Sequence, residues 1–109
     1  MLEPIVGSSS SEKVMIFLFA RREGYAREIA RFFTTDLDPI QKQLAKLEAG
    51  GVLVSRVLGR THLFSFNPRY PMIDELRALL EKTLQFYPEE LRERLLMDRR
   101  RPRRRGKPL

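Results

Sequence analysis

The fold is decided by residues 23–68, EGYAREIARFFTTDLDPIQKQLAKLEAGGVLVSRVLGRTHLFSFNP. A helix is predicted over residues 25–33, whose apolar face holds Ala26, Ile29, Ala30 and Phe33. The polar residues 34–36 break this helix, and a second helix is predicted over residues 38–49. Two helices joined by so short a turn are typical of a helix-turn-helix motif.

The second of these helices has clear predicted boundaries. Asp38 is expected as its N-cap, with Pro39 at the first helical position and Gln41 at the capping-box spacing. Gly50 and Gly51 follow its last residue, and a left-handed glycine commonly ends a helix. Its buried stripe is predicted to be Ile40, Leu44 and Leu47.

A β-hairpin is predicted after this helix. The runs VLVSRV (residues 52–57) and HLFSFN (residues 62–67) are rich in β-branched and aromatic residues and flank LGRT. Phe64 and Phe66 alternate with polar residues, which places both of them on the predicted core face.

Helices are predicted on both sides of the stretch. Upstream, Ser9, Ser10 and Ser11 are candidate N-caps of a helix that is apolar nearly all round and therefore central to the core. Gly24 is expected to stop this helix. Downstream, a helix is predicted over residues 71–87, and Pro88 opens a short last helix.

The predicted fold class is therefore α+β and mostly helical. It is a winged helix-turn-helix, with a three-helix core, a β-hairpin wing and a C-terminal helical extension. We expect a flexible leader over residues 1–8, the winged helix-turn-helix domain over residues 9–67, C-terminal helices over residues 68–98 and a disordered basic tail over residues 99–109.

Residues 12–67 resemble the ArsR-like winged-helix regulators of bacteria and archaea. The resemblance is carried, in order, by Gly24, Glu28, Ile29, Ala30, Leu44, Leu47, Gly51, Gly59 and Arg60. It implies a cytoplasmic, nucleoid-associated transcriptional regulator that binds double-stranded DNA as a homodimer, with repression as the family's usual mode. Metal-sensing members of that family use Cys or His-rich sites, and this chain has no Cys and one His.

Candidate DNA contacts follow from the predicted motif. Amide side chains pair with adenine and basic ones with guanine, so Gln41, Lys42 and Gln43 on the second helix are the candidate base readers. Thr34, Thr35 and Lys46 are better placed for phosphates. On the wing, the candidate contacts to phosphate or minor groove are Arg56, Arg60, Thr61 and His62.

The net charge of +7 does not by itself indicate DNA binding by the folded body. Residues 99–109, RRRPRRRGKPL, hold seven basic residues and no acid, whereas residues 1–98 hold 14 of each sign. Such a basic block binds polyanions with a steep salt dependence, a slope of about −0.9 per phosphate contacted. A solubility tail or a contact to another acidic partner is the alternative for this segment.

A dimer surface is predicted on the helix over residues 71–87, because this helix carries nearly two apolar rows. One row would cover the domain and the other would meet a second copy. The candidate interface comprises Met72, Ile73, Leu76, Leu79, Leu80, Thr83, Phe86 and Tyr87. The alternative is that the last helix folds back over the second row.

Other functional classes receive little support from the sequence. Without Cys there is no disulfide or thiolate chemistry, and no nucleophile triad, phosphate loop or metal-spaced cluster occurs. We expect no enzyme activity, no cofactor, no metal site and no membrane association, and the sequence identifies no small-molecule effector. His62 is expected at the surface rather than as a metal ligand.

Two other functions remain open at this point. The domain could be a protein-interaction module, for example the partner of a nucleotidyltransferase-like protein, with only the basic tail touching nucleic acid. A weaker alternative is binding of structured RNA through the Arg-rich tail.

Overall fold

The computed structural model describes residues 1–97, and the predicted basic tail lies outside the described residues. The elements in chain order are α1 (Glu3–Val6), α2 (Ser9–Arg21), β1 (Glu23–Gly24), α3 (Ala26–Phe33), α4 (Leu37–Ala49), β2 (Leu53–Leu58), β3 (Thr61–Phe66), α5 (Ile73–Gln85) and α6 (Glu89–Leu96). This order agrees with the predicted class: mostly helical α+β, with a helix-turn-helix (α3–α4), a hairpin wing (β2–β3) and C-terminal helices.

Helix α2 is the centre of the core. Its Val14, Ile16, Phe17 and Leu18 are fully buried. Helices α3, α4, α5 and α6 and strands β1 and β3 all contact it. A helix that is apolar on every side is stable in water only when other elements surround it, as the sequence predicted.

The N-terminal residues differ from the predicted flexible leader. Residues 3–6 form helix α1, and Leu2 is buried in the core. Ser8, not Ser9–Ser11, is the N-cap of α2, and its hydroxyl accepts from the Ser11 N–H at 3.1 Å. The leader is held because the buried Glu12 carboxylate needs donors, and the Leu2 N–H is one of them, at 2.6 Å.

Glu12 also fixes the C-terminal part of the chain. The Tyr87 hydroxyl donates to Glu12 Oε2 at 2.5 Å, across 75 residues of sequence. Partial burial and this hydrogen bond raise the pKa of Tyr87 above its ordinary value. One buried carboxylate therefore ties both the leader and the end of α5 to α2.

The sheet has a third strand that the sequence pattern did not show. The strand order is β1–β3–β2, and all pairs are antiparallel. Strand β1 has only two residues, Glu23 and Gly24, which pair with Ser65 and Phe64. Leu53 pairs with Phe66 at the base of the wing, and both are buried. Phe66 is in the core as predicted, while Phe64 is half-buried at its edge.

Helix α4 begins earlier than predicted, and Asp38 is not its N-cap. Asp36 occupies the N-cap position, without a side-chain cap hydrogen bond, and Leu37 is already helical. Leu37 packs against the core, which favours including it in the helix. Pro39 therefore lies in the first turn rather than at its first position, where its missing N–H still leaves no helical bond unmade.

Helix α5 directs one of its two apolar rows inward. Ile73, Leu80 and Thr83 are buried within this chain, so they do not belong to a surface that meets a second copy. Leu76, Leu79 and Tyr87 are half-buried. Met72 and Phe86, 55% and 64% exposed, remain on the outer row of the predicted interface.

The buried Arg21 attaches the last helix to the core. Its guanidinium donates to the carbonyl oxygens of Leu95 at 3.0 Å and Arg94 at 2.8 Å. Both carbonyls are in the last turn of α6, where a cation complements the helix dipole. The same guanidinium stacks 4.9 Å from the Phe17 ring and 5.1 Å from the Phe32 ring.

Within residues 1–97, no helix has both the length and the hydropathy needed to cross a bilayer.

The contact between β1 and α2 yields a stability prediction. A Cβ on Gly24 would stand 2.7 Å from Cε1 of the fully buried Phe17 ring. Gly24→Ala must displace that ring, so we expect a loss of about 1–3 kcal/mol in the free energy of unfolding, measured by urea denaturation. Gly50→Ala is the control, because its Cβ would meet nothing closer than 3.5 Å. Equal losses in the two variants would contradict the packing argument.

Candidate nucleic-acid interface

A groove separates helix α4 from the wing. Its volume is about 460 Å³, and it is lined by Tyr25, Ala26, Arg27, Gln41, Leu44, Ala45, Glu48, Arg60, Thr61, His62 and Phe64. The α4 residues among them recur at steps of three and four, which places them on one helical face. That face of α4 looks across the groove at the tip of the β2–β3 hairpin.

The structure brings together four of the predicted contact residues. Gln41 lines the groove on one side, and Arg60, Thr61 and His62 line it on the other. Gln41, Arg60 and His62 are exposed, so their polar groups are open to a ligand. The helix and the wing therefore present polar side chains to a shared space.

The other predicted residues lie outside this groove. Lys42 and Lys46 are exposed one step around α4, on a stripe next to the groove face. Gln43 is half-buried and, two residues after Gln41, lies about 200° around the helix from it. Gln41 and Gln43 therefore do not face the same ligand surface.

The turn between α3 and α4 has a strained residue. Thr34 has φ +52, a left-handed conformation that is uncommon for a β-branched residue. The turn is closed by the Thr35 N–H, which donates to the Ala30 carbonyl at 3.0 Å. Thr34 is exposed and Thr35 half-buried, so the Thr34 hydroxyl is the more accessible of the two predicted phosphate contacts.

The wing tip is a two-residue turn. Gly59 has φ +66, which its missing Cβ permits, while Arg60 keeps an ordinary negative φ. Arg60 is therefore placed at the apex of the hairpin with its side chain exposed. The wing also exposes two aliphatic side chains, Val57 (63%) and Leu58 (58%), which a purely polar interface would not contain.

Two of the predicted cations are paired with acids. Lys42 Nζ lies 3.1 Å from Asp38 Oδ2, and the Arg56 guanidinium lies 3.0 Å from Glu23 Oε1. Both pairs are exposed, where ion pairs are weak, so either cation can be drawn to a phosphate. The pairing nevertheless lowers the local positive charge beside the groove.

Three polar residues of the groove are not among those predicted by the sequence pattern. Glu48 could have been predicted from helical spacing, because it is seven residues after Gln41 and lies on the same face of α4. Its carboxylate accepts from the Ser55 hydroxyl at 2.6 Å. Tyr25 and Arg27 begin α3, and only the packing of α3 against α4 and the wing brings them there.

The Lys42–Asp38 pair predicts the effect of removing one acid. Asp38→Asn frees Lys42 and adds one unit of positive charge beside the groove. We expect affinity for duplex DNA to rise about two- to tenfold at 50 mM salt, with a smaller gain at 200 mM salt. Fluorescence anisotropy with a labelled duplex measures this affinity at both salt concentrations. Asp74→Asn on α5 is the control with the same net charge, and an equal gain there would contradict a local role for Asp38.

Comparison with known proteins supports the fold. No protein-family model and no curated protein matches the chain. Two solved structures of a mutant of Lactococcus lactis ZitR do match. The apo form is 21% identical with a TM-score of 0.54, covering 80% of this chain and 74% of ZitR. The other is 18% identical with a TM-score of 0.51, covering 87% and 73%. The likeness confirms the winged-helix fold and does not single out the ArsR-like kind.

Proposed function

We propose that the protein is a transcriptional regulator that binds double-stranded DNA sequence-specifically as a homodimer. The observation that carries this proposal is the groove in which exposed Gln41 of α4 faces Arg60 and His62 of the wing tip. Helix α4 and the β2–β3 hairpin present polar side chains on one surface. The helix can therefore enter the major groove of a DNA duplex while the hairpin contacts the neighbouring minor groove. Repression and the ArsR-like kind rest on the sequence resemblance.

The protein groove between α4 and the wing can hold the stretch of DNA phosphate backbone that lies between a major groove and the next minor groove. With α4 in the major groove, Gln41 and Lys42 face base edges, where an amide pairs with adenine and an ammonium with guanine. The wing then reaches the neighbouring minor groove with Arg60. Between them, the intervening phosphates meet Arg27 and Tyr25 at the start of α3. These contacts fix position, and those of α4 read sequence.

Dimerisation is proposed through the outer row of α5. Met72, Leu79 and Phe86 are spaced by seven residues, so they lie on one side of the helix. Two of them are mostly exposed, which leaves an apolar strip that a second copy would cover. Two α4 helices would then meet half-sites about one DNA turn apart, roughly 34 Å.

The basic tail and the cellular location complete the proposal. Residues 99–109 would add affinity that is independent of DNA sequence and strongly dependent on salt. A protein with this function would be cytoplasmic and associated with the nucleoid.

A second function is favoured by one feature of the wing. The exposed Val57 and Leu58 are apolar, and β2 is an edge strand with unpaired backbone groups. Such a strand suits a protein partner better than a phosphate backbone. In this alternative the winged helix is a protein-interaction module, and the basic tail alone touches nucleic acid.

Selection of bound duplexes from a random pool at about 150 mM salt separates the two functions. If the protein binds DNA sequence-specifically as a homodimer, the bound duplexes should be enriched in a pseudo-palindromic motif. In the Gln41→Ala, Lys42→Ala double variant, we expect the preference for that motif over random duplex to fall at least tenfold, because each bidentate base contact contributes about 1–3 kcal/mol of discrimination. Weak binding to all duplexes should remain.

The matched control is Lys13→Ala, Gln85→Ala, which removes the same two side-chain types far from the groove. It should keep the wild-type preference. If the Gln41, Lys42 variant also keeps its preference, the assignment of α4 is wrong. If the pool yields no enriched motif, the interaction-module function is favoured.

The proposed dimer surface gives a separate prediction. Phe86→Glu places a charge on the outer row of α5, and burying an unpaired carboxylate in an interface is strongly unfavourable. We expect the mass measured by light scattering to shift from dimer to monomer with an unchanged circular dichroism spectrum. Val57→Glu, at a similarly exposed aliphatic position on the wing, should stay dimeric. A dimer that withstands Phe86→Glu would place the interface elsewhere.

A further inference from the structure

A second pocket lies on another part of the molecule, between the end of α2, strand β3 and helix α5. Its volume is about 360 Å³, and it is lined by Leu18, Phe19, Arg22, Ser65, Phe66 and Arg77. Leu18 and Phe66 are buried and form an apolar floor. Two arginines stand at its edge, and neither takes part in the proposed DNA interface.

Arg22 has a backbone conformation that favours glycine. It is the C-cap of α2, with φ +76, and its N–H donates to the Leu18 carbonyl at 2.8 Å. Glycine is the usual residue at a helix end with positive φ, and an L side chain in that conformation is strained. A strained arginine facing a pocket is a pointer to function, because folding alone would be better served by glycine.

Arg77 also departs from the pattern of its helix. It follows Ile73 by four residues and precedes Leu80 by three, so it lies at the edge of the core-facing side of α5. Arg77 is exposed, so its side chain is accessible where it lines the pocket. Asp74 and Glu81 are at helical spacing for an ion pair with Arg77, yet Arg77 pairs with no acid within residues 1–97.

The charges around the pocket leave both cations available. Arg22 makes no ion pair with any acid of the described residues. Its neighbour Glu23 is engaged by Arg56 at 3.0 Å. Ser65 of β3, which is half-buried, also lines the pocket. Two arginines and a serine line this pocket together with apolar residues, so its lining suits an anion with an apolar body.

We propose that this pocket binds a small organic carboxylate with a flat apolar body. The Arg22 and Arg77 guanidinium groups hold the carboxylate, since their planar fork matches its two oxygens. The body lies on Phe19, Phe66 and Leu18. A volume of about 360 Å³ is at the lower end of the range for small-molecule sites, about 300–1,000 Å³, and suits one or two rings. This site is independent of the proposed DNA binding.

The test uses the full chain without DNA and two probes of equal shape. Isothermal titration calorimetry with 2-naphthoate, and with its neutral analogue 2-naphthamide, measures how much of the binding depends on the negative charge. We expect the naphthoate to bind at least tenfold more tightly than the amide, because charge-assisted hydrogen bonds to arginine are lost in the amide. Equal affinities, or no binding of naphthoate at millimolar concentration, would overturn the proposal.

Substitutions of the two arginines test whether naphthoate binds in this pocket. Arg22→Gly and Arg77→Gln should each weaken naphthoate binding at least tenfold, while Arg31→Gln on α3, with the same loss of charge, should not. Arg22→Gly relaxes the strained backbone, so its melting temperature should stay at or above that of the wild type. Its loss of binding would therefore not arise from unfolding. Naphthoate affinity unchanged in Arg22→Gly and Arg77→Gln would show that the ligand binds elsewhere.

Discussion

The burial of helix α2 is the constraint on which the rest of the structure depends. Because residues 14–20 of this helix are all apolar, the sheet and five other helices pack around it. The close approach of Gly24 to Phe17 lets β1 join β3 directly beside α2. The wing is thereby fixed to the same core as α4, so the groove between them is set by apolar packing. The shape of the groove between α4 and the wing is therefore set by buried residues that do not line it, such as Phe17.

The sequence predicted the elements with strong periodicity and missed those set by tertiary contacts. The α3–α4 pair, the hairpin and the two rows of α5 follow from local spacing. Gln41, Arg60 and His62 line one groove, and their contact with DNA stays a prediction. Strand β1 has two residues, too few to show a period. Helix α1 depends on the hydrogen bond from the Leu2 N–H to the Glu12 carboxylate. Asp36 rather than Asp38 is the N-cap of α4, because Leu37 packs against the core and is included in the helix. Arg27 enters the groove only through interhelical packing.

The basic side chains of the folded body are balanced by acids, both in number and beside the groove. Residues 1–98 hold equal numbers of basic and acidic residues, and Lys42 and Arg56 beside the groove already face acids. The body therefore carries no net charge that would attract a polyanion, and the proposed DNA binding by the body would depend on the fit of α4 and the wing. The arginines of the second pocket are different, because neither pairs with an acid of residues 1–97.

The attachment of α6 by Arg21 determines where the following residues begin. The Arg94 guanidinium lies 4.7 Å from the Phe32 ring of α3, two residues before the Thr34 turn. Eleven residues, 99–109, span at most about 40 Å when fully extended. The end of α6 is therefore held beside α3, and under the proposed DNA binding a basic segment joined to it would meet a polyanion on the helix-turn-helix intramolecularly, at an effective concentration in the millimolar range. The Arg21 hydrogen bonds in the last turn of α6 thereby fix the position of the last described residues relative to α3.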